Sequence, residues 1–459
     1  MPPILAVALT LLFIGFLFWR DYKQQCTTSL ALSIPCIWLL ILGSRSVTEW
    51  LYLGEPISGG GDITEGDPLN RVVFFFLMGA GFVVLVKRGI SWSKVLRNNI
   101  ALTLFVLYCG ISIVWSDFPF VAFKRWFKGF GDPIMVLIIL TDLNPLRAVE
   151  IVLRTCTNIL VPLSVLFLKY YPHLGRAYSD WTGDIAYTGV TTNKNTLGFT
   201  LMVFSLFLVW RLYSRWGQAS SSKIDNLGIP LLLLGMVAWL FSLADSKTSL
   251  LSLGLAVLIF SILGLRTARA HITAYLVTGV LVFAVLQGAF DIKTVIAEGA
   301  GRDATFTGRT EVWEVVLQMQ EHPVLGFGLD SFWLGERLKT LQDRWYFKPN
   351  QAHSGYIELY LNLGWVGWAF FAGVIVSYYR NARARLTSTW EMTEWVIFTR
   401  LGIGFLCAYL IYNYTEAAFK TPHFLYVIFL LFAIKYAPPQ QMITESSSYS
   451  FSGETRKVP

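Results

Sequence analysis

About a dozen stretches of this sequence are long and apolar enough to cross a bilayer, which takes about 20 mostly apolar residues each. They fall near 3–19, 29–43, 70–87, 99–116, 148–168, 195–213, 227–244, 247–266, 271–290, 354–379, 396–414 and 421–437, with a shorter one at 130–141. Only helices and closed barrels satisfy backbone polar groups in lipid, and apolar runs of this length point to helices. The expected fold is therefore all-α, a polytopic membrane bundle of about 12–13 transmembrane helices with one large outer loop. Composition agrees, with 54% hydrophobic and 14% charged residues, where a soluble protein carries roughly 25% charge. So little polar surface argues against a soluble enzyme, a disordered chain or a nucleic-acid-binding domain. The first apolar segment lacks a preceding basic residue and a clear cleavage site, so it reads as a retained helix. The cysteines Cys26, Cys36, Cys109, Cys156 and Cys407 show no ligand spacing and read as small apolar packing residues rather than a metal site or disulfide framework.

The net charge of +8 suits lysine and arginine in cytoplasmic loops. With Arg380, Arg383 and Arg385 placed inside, alternation over thirteen spans also puts inside Arg266 and Arg269; Arg211, Arg215 and Lys223; Arg147; Lys87, Arg88, Lys94 and Arg97; and Arg20 and Lys23. The N-terminus then lies outside. The acidic loop 44–69 also lies outside, and the polar tail from about 438 lies inside as a disordered segment.

Some cations break the pattern. Lys124, Arg125 and Lys128, Lys194, Lys247, Arg302 and Arg309 fall on the outer side. Lys247 sits in a short turn between two apolar segments, where an ionisable group signals function. Cations gathered there suit an anionic ligand at the outer face, such as a lipid diphosphate.

The large loop, 291–353, carries helical spacing of Val312, Val315, Val316 and Met319, an expected amphipathic helix over Thr310–Met319. Arg309 at its start opposes the helix dipole unless an anion binds there, or it contacts headgroups or Glu311. His322-Pro-Val-Leu-Gly-Phe-Gly328 is a turn, not a nucleotide loop. His353 stands where the loop meets the next span, with water access and a pKa range suited to a general base. Glu358 lies a turn deeper and needs a partner, and Gly364 and Gly367 allow close helix contact.

His353-Ser354, nine residues, then Gly364-Trp365-Val366-Gly367 resembles the signature of the O-antigen ligase and polysaccharide polymerase superfamily. Gly308-Arg309-Thr310-Glu311-Val312-Trp313, His322 to Gly328, Asp245-Ser246-Lys247-Thr248 and Thr192-Asn193-Lys194-Asn195-Thr196-Leu197-Gly198 resemble its further motifs, in order, over about 190–380. The sequence around Asp303 to Arg309 and the Ser-Lys-Thr turn look most like exopolysaccharide production proteins of the succinoglycan-polymerising type.

The resemblance implies a metal-independent glycosyltransferase without cofactor in the bacterial inner membrane, working at the periplasmic face. It implies a donor glycan on undecaprenyl diphosphate, with His353 as general base and Arg309 and Lys247 on the diphosphate. Lysine at 247 keeps the charge of the arginine common in the family's ligases but loses its fork. Polymerisation of lipid-linked repeats is the favoured reading. Ligation to a lipid A core is the alternative, and a lipid-linked glycan transporter is an alternative of another class. Expected partners are the undecaprenyl-diphosphate-linked oligosaccharide and the bilayer, with a chain-length regulator or export complex as a further candidate, and no nucleic acid. Arg125 and Lys128 face either the diphosphate or lipid headgroups. Asn193, Lys194 and Asn195 bind sugar hydroxyls or cap the next span. Glu416 contacts sugar or pairs locally with Lys420. The expected division is N-terminal helices over 1–190, a catalytic core over 191–437 and a tail over 438–459.

Overall fold

The computed structural model describes residues 1–23, 29–53, 67–178, 183–215, 227–279, 309–388 and 393–436. The expectations for Cys26, Lys223, the acidic middle of loop 44–69, residues 280–308 (with Arg302 and Gly308) and the tail lie outside the described residues.

The chain is a multi-pass, all-α membrane protein. Six helices are long and apolar enough to cross a bilayer: Pro3–Tyr22, Pro68–Lys87, Pro145–Tyr170, Lys194–Arg215, Gly355–Thr387 and Glu394–Thr415. Trp92–Asn98 and Ile100–Trp115 form a pair bent by 96°. Four shorter apolar helices, Leu30–Leu42, Ile229–Ala244, Lys247–Ile262 and Phe424–Ala433, complete the set among the described residues. Most expected segments recur, but several are shorter or bent where continuous spans were expected, and 271–290 is described only as far as residue 279. Ile229–Ala244 ends at Asp245, which adopts a left-handed φ of 45°. Asp245 and Ser246 separate it from Lys247–Ile262, and at 16 residues each of these two helices is about 24 Å long.

One apolar core runs through the bundle. The described part of the outer loop builds a second, smaller core from Val312, Val316, Phe327, Phe332, Leu338 and Leu341. The expected amphipathic helix is present as Arg309–Gln318, with Val312 and Val316 buried. Among the described residues, one short antiparallel ladder pairs Arg176–Tyr178 with Ile185–Tyr187.

The Gly355–Thr387 helix breaks at Gly364, where φ is 62° and ψ −164°. Only glycine tolerates that conformation. A break inside a span frees backbone groups that lipid cannot satisfy. The Pro323–Gly328 turn satisfies them. Trp365 and Val366 amides donate to the Pro323 and Val324 carbonyls at 3.0 and 3.1 Å, and the Phe327 amide donates to the Leu361 carbonyl at 3.1 Å. The Tyr108 hydroxyl donates to the Leu363 carbonyl at 3.0 Å. A Cβ on Gly364 would lie 2.3 Å from the Val324 oxygen, and one on Gly326 2.4 Å from the Asn362 backbone. The two glycine motifs are therefore halves of one backbone-to-backbone joint, which ties the outer loop to the membrane helix just below His353.

Candidate active site

Glu416 follows the last turn of the Thr393–Thr415 helix and is buried. Its Oε1 accepts from Arg309 Nη2 at 3.0 Å and from Asn195 Nδ2 at 2.7 Å. Its Oε2 lies 3.7 Å from His353 Nδ1. Its backbone carbonyl accepts from the Gly355 amide at 3.0 Å. Arg309 Nη1 also donates to the Thr415 carbonyl. One carboxylate thus gathers an arginine, an asparagine and a histidine from three distant parts of the chain. Burial pushes the Glu416 carboxyl up, but contact with His353 and the Arg309 charge outweigh it and hold the group below the usual carboxylate range.

Each partner is placed by local packing. Asn195 lies in the first turn of the Lys194–Arg215 helix, which the Asn193 side chain caps by accepting from the Thr196 amide at 2.8 Å. Gly198, one turn on, lets the Ser246 turn press against this helix. A Cβ there would lie 2.4 Å from Ser246 Oγ. Ser246 precedes Lys247, the first residue of the Lys247–Ile262 helix. Thr248 Oγ1 meets Thr415 Oγ1 at 2.8 Å. The Lys247 turn therefore abuts the residue next to Glu416.

His353 has a φ of 51°, a left-handed conformation costing about 1–3 kcal/mol in a non-glycine residue. The preceding residue, Ala352, is held at both its carbonyl and its amide. Trp313 Nε1 donates to the Ala352 carbonyl at 2.7 Å, and the Ala352 amide donates to Glu358 Oε1 at 2.5 Å. Trp333 Nε1 holds the other Glu358 oxygen at 2.9 Å. Glu358 thus finds its expected partners and uses them to set the histidine's backbone.

The expected residues separate into two groups. Arg309, His353, Asn195 and Glu416 converge, with Lys247 one residue from the Thr248–Thr415 contact. Lys247 pairs with Asp245 at 3.1 Å, with side chains 45% and 63% exposed. The local pairing considered for Glu416 is not formed: Lys420 instead reaches Gln351 at 3.4 Å. Arg309 likewise pairs with Glu416, not Glu311. Asn193 serves as a cap, and Lys194 is half-buried in the first turn with no ion pair among the described residues. Arg125 donates to the Asp330 carbonyl at 2.5 Å. Lys128 lies 4.5 Å from the Phe74 ring centroid. Burial pushes the Lys128 ammonium below its usual range, with Asp132 opposing. These two cations are thus seated against Asp330 and Phe74. Thr415 was missed in the sequence, although a polar pair closing a long apolar helix marks it. Among the described residues, no group of three or more His, Cys, Asp or Glu is placed to hold a metal ion.

An imidazole beside a carboxylate is a general-base arrangement. In such an arrangement one ring nitrogen faces the carboxylate and the other is left to meet a substrate proton. Arg309 adds fixed positive charge, and the half-exposed Lys247–Asp245 pair adds a replaceable one.

Comparison with known proteins gives three similarities. Residues 231–372 match the family described as O-antigen ligase. The exopolysaccharide production protein ExoQ of Rhizobium meliloti is 24% identical over 323 residues, covering 65% of this chain and 69% of that protein. A Rickettsia conorii protein, provisionally named a polysaccharide ligase, is 24% identical over 159 residues, 33% of this chain and 39% of its own. The family match holds Lys247, Arg309 and His353, while Asn195 and Glu416 lie outside it.

Proposed function

We propose, on the premise that this chain is a membrane enzyme of the O-antigen ligase and polysaccharide polymerase superfamily, most like its exopolysaccharide production proteins, that it polymerises undecaprenyl-diphosphate-linked oligosaccharide repeats. The observation that carries the reading is the Arg309–Glu416–His353 chain of contacts. His353 Nε2 takes the proton of an acceptor sugar hydroxyl. The hydroxyl oxygen bonds to the anomeric carbon of the donor glycan as the bond to the diphosphate oxygen breaks. The electron pair leaves with the lipid diphosphate, and the proton on His353 passes to solvent. Glu416 stabilises the imidazolium while it exists.

The two cations have different tasks. The Arg309–Glu416 pair is 11% exposed on each side. Breaking such a pair leaves a buried charge, a cost of about 3–5 kcal/mol. Arg309 therefore keeps Glu416 and contributes its field. Lys247 is held by an exposed pair worth about 0–1 kcal/mol, so it is free to move from Asp245 to a phosphate. Charge developing on the leaving group is stabilised by both. Asn195 holds the second lone pair of Glu416 Oε1. We place the reaction at the periplasmic face of the inner membrane, without metal or nucleotide, since the donor arrives activated.

The matched family's description as O-antigen ligase favours a second reading, the same step with a lipid A core as acceptor. One experiment separates them. Purified protein in nanodiscs is incubated with a lipid-diphosphate-linked oligosaccharide, with EDTA and without nucleotide, and products are sized. A ladder supports the polymerase. Transfer only on adding a lipid A core supports the ligase. No product with either acceptor contradicts both.

A further inference from the structure

At the far end of the Lys194–Arg215 helix, the protein holds a second ionic cluster. Asn195 and Arg211 are about 24 Å apart along that helix, so the cluster is remote from Glu416. It forms where Pro3–Lys23, Pro145–Tyr170 and Lys194–Arg215 meet. Two carboxylates organise it. Asp21 takes Arg20 Nη2 at 2.9 Å, Arg154 Nε at 3.1 Å and Asn158 Nδ2 at 3.1 Å. Glu150 takes Arg147 Nη1 at 2.6 Å and Arg215 Nη2 at 2.8 Å, with Arg211 Nε at 3.5 Å and Arg154 Nη1 at 3.8 Å.

Among the described residues, five guanidinium charges against two carboxylate charges leave an excess of three positive charges. The groups are not at the surface: Arg211 and Arg154 are 2% exposed and Arg20 5%. Buried ions are tolerated only when paired and hydrogen-bonded. Here they are not fully so. Among the described residues, Arg211 Nε, Nη1 and Nη2, Arg20 Nε and Nη1, and Arg154 Nη1 are buried without a hydrogen-bond partner. Six donors from three helices, on a site with surplus positive charge, call for an acceptor-only ligand with several oxygens. Arg147 and Arg215, with side chains 20% and 17% exposed, lie on its more open side.

We propose that this cluster is a binding site for a phosphate-class oxyanion, either free or as a phospholipid headgroup. Phosphate presents oxygens in the geometry that guanidinium forks match. A phosphate monoester carries about −1.5 to −2 at pH 7, which offsets most of the surplus, while a diester headgroup such as that of phosphatidylglycerol carries a single negative charge and offsets part of it. Bound there, it joins the first helix to the helices that carry Asn195 and shape the core.

The test uses full-length protein in detergent. Thermal unfolding is followed against inorganic phosphate, with sodium chloride at matched ionic strength as control, and retained lipid is identified by native mass spectrometry with added phosphatidylglycerol. A saturable rise in Tm with phosphate, absent with chloride, assigns a free oxyanion. Retained phosphatidylglycerol without a phosphate effect assigns a headgroup. Either signal should fall at least tenfold in apparent affinity in Arg211→Met. Arg211→Lys, which keeps the charge and loses the fork, gives the same reading should Arg211→Met not fold. The proposal is overturned if wild-type protein shows neither signal, or if both survive unchanged in the variants.

Discussion

Glu416 is where the site's side chains meet, so its substitution tests whether they act together. Glu416→Gln keeps the shape and removes the charge beside His353 Nδ1. We expect transfer to fall about 10²-fold, within the usual range for a lost acid–base contribution, with the protein still inserted. Unchanged turnover would detach the carboxylate from the histidine. The pH dependence has a defined sign. Because its carboxyl is held below 4.5, Glu416 adds stability that is fully present above that value and disappears as pH falls through the lowered one. The Tm gap between wild type and Glu416→Gln should close as pH falls below 4.5. Arg309→Lys should lose activity despite keeping its charge, since one ammonium does not span Thr415 and Glu416 as the fork does. Lys247→Arg should retain activity, and Lys247→Ala should lose it. Full activity in Lys247→Ala would end the diphosphate role. The cations and the histidine were legible in the sequence because their motifs are local. The partner of Arg309 was not, because Glu416 is 107 residues away and no local spacing encodes so distant a pair. Local proximity favoured Lys420, which folding turned toward Gln351.

The elements teach a similar lesson about glycine. Spacing of Gly364 and Gly367 announces close packing, and Gly367 does approach Leu363 and Tyr108. Gly364 does something else: it breaks a membrane helix whose freed groups are taken by a loop forty residues earlier. Periodicity reports a continuous apolar run and is blind to such a break. Gly364→Ala should therefore destabilise strongly, by more than the 1–3 kcal/mol of backbone strain alone, because its Cβ meets the Val324 oxygen. Gly373→Ala, in the same helix with nothing within 4 Å of its Cβ, should be neutral or stabilise by about 0.5–1 kcal/mol. Thermal unfolding of the two variants side by side checks this, and equal Tm values would remove the joint from the account.

At the scale of the molecule, hydropathy made the bundle legible because lipid leaves so few options for the backbone. It overstated the continuity of the spans, since turns such as Asp245 are short enough to hide within apolar sequence. Sidedness rests on where arginine and lysine fall. A cysteine at Glu336, 85% exposed by its side chain, should react with an impermeant maleimide added to whole cells. One at Arg383, on the other side in this scheme, should react only after permeabilisation. The reverse pattern would invert the topology. The account turns most directly on His353. In the nanodisc assay with lipid-linked oligosaccharide, His353→Ala should slow transfer by about 10²–10⁴-fold while inserting and melting like wild type. Transfer at the wild-type rate in that variant would contradict the account.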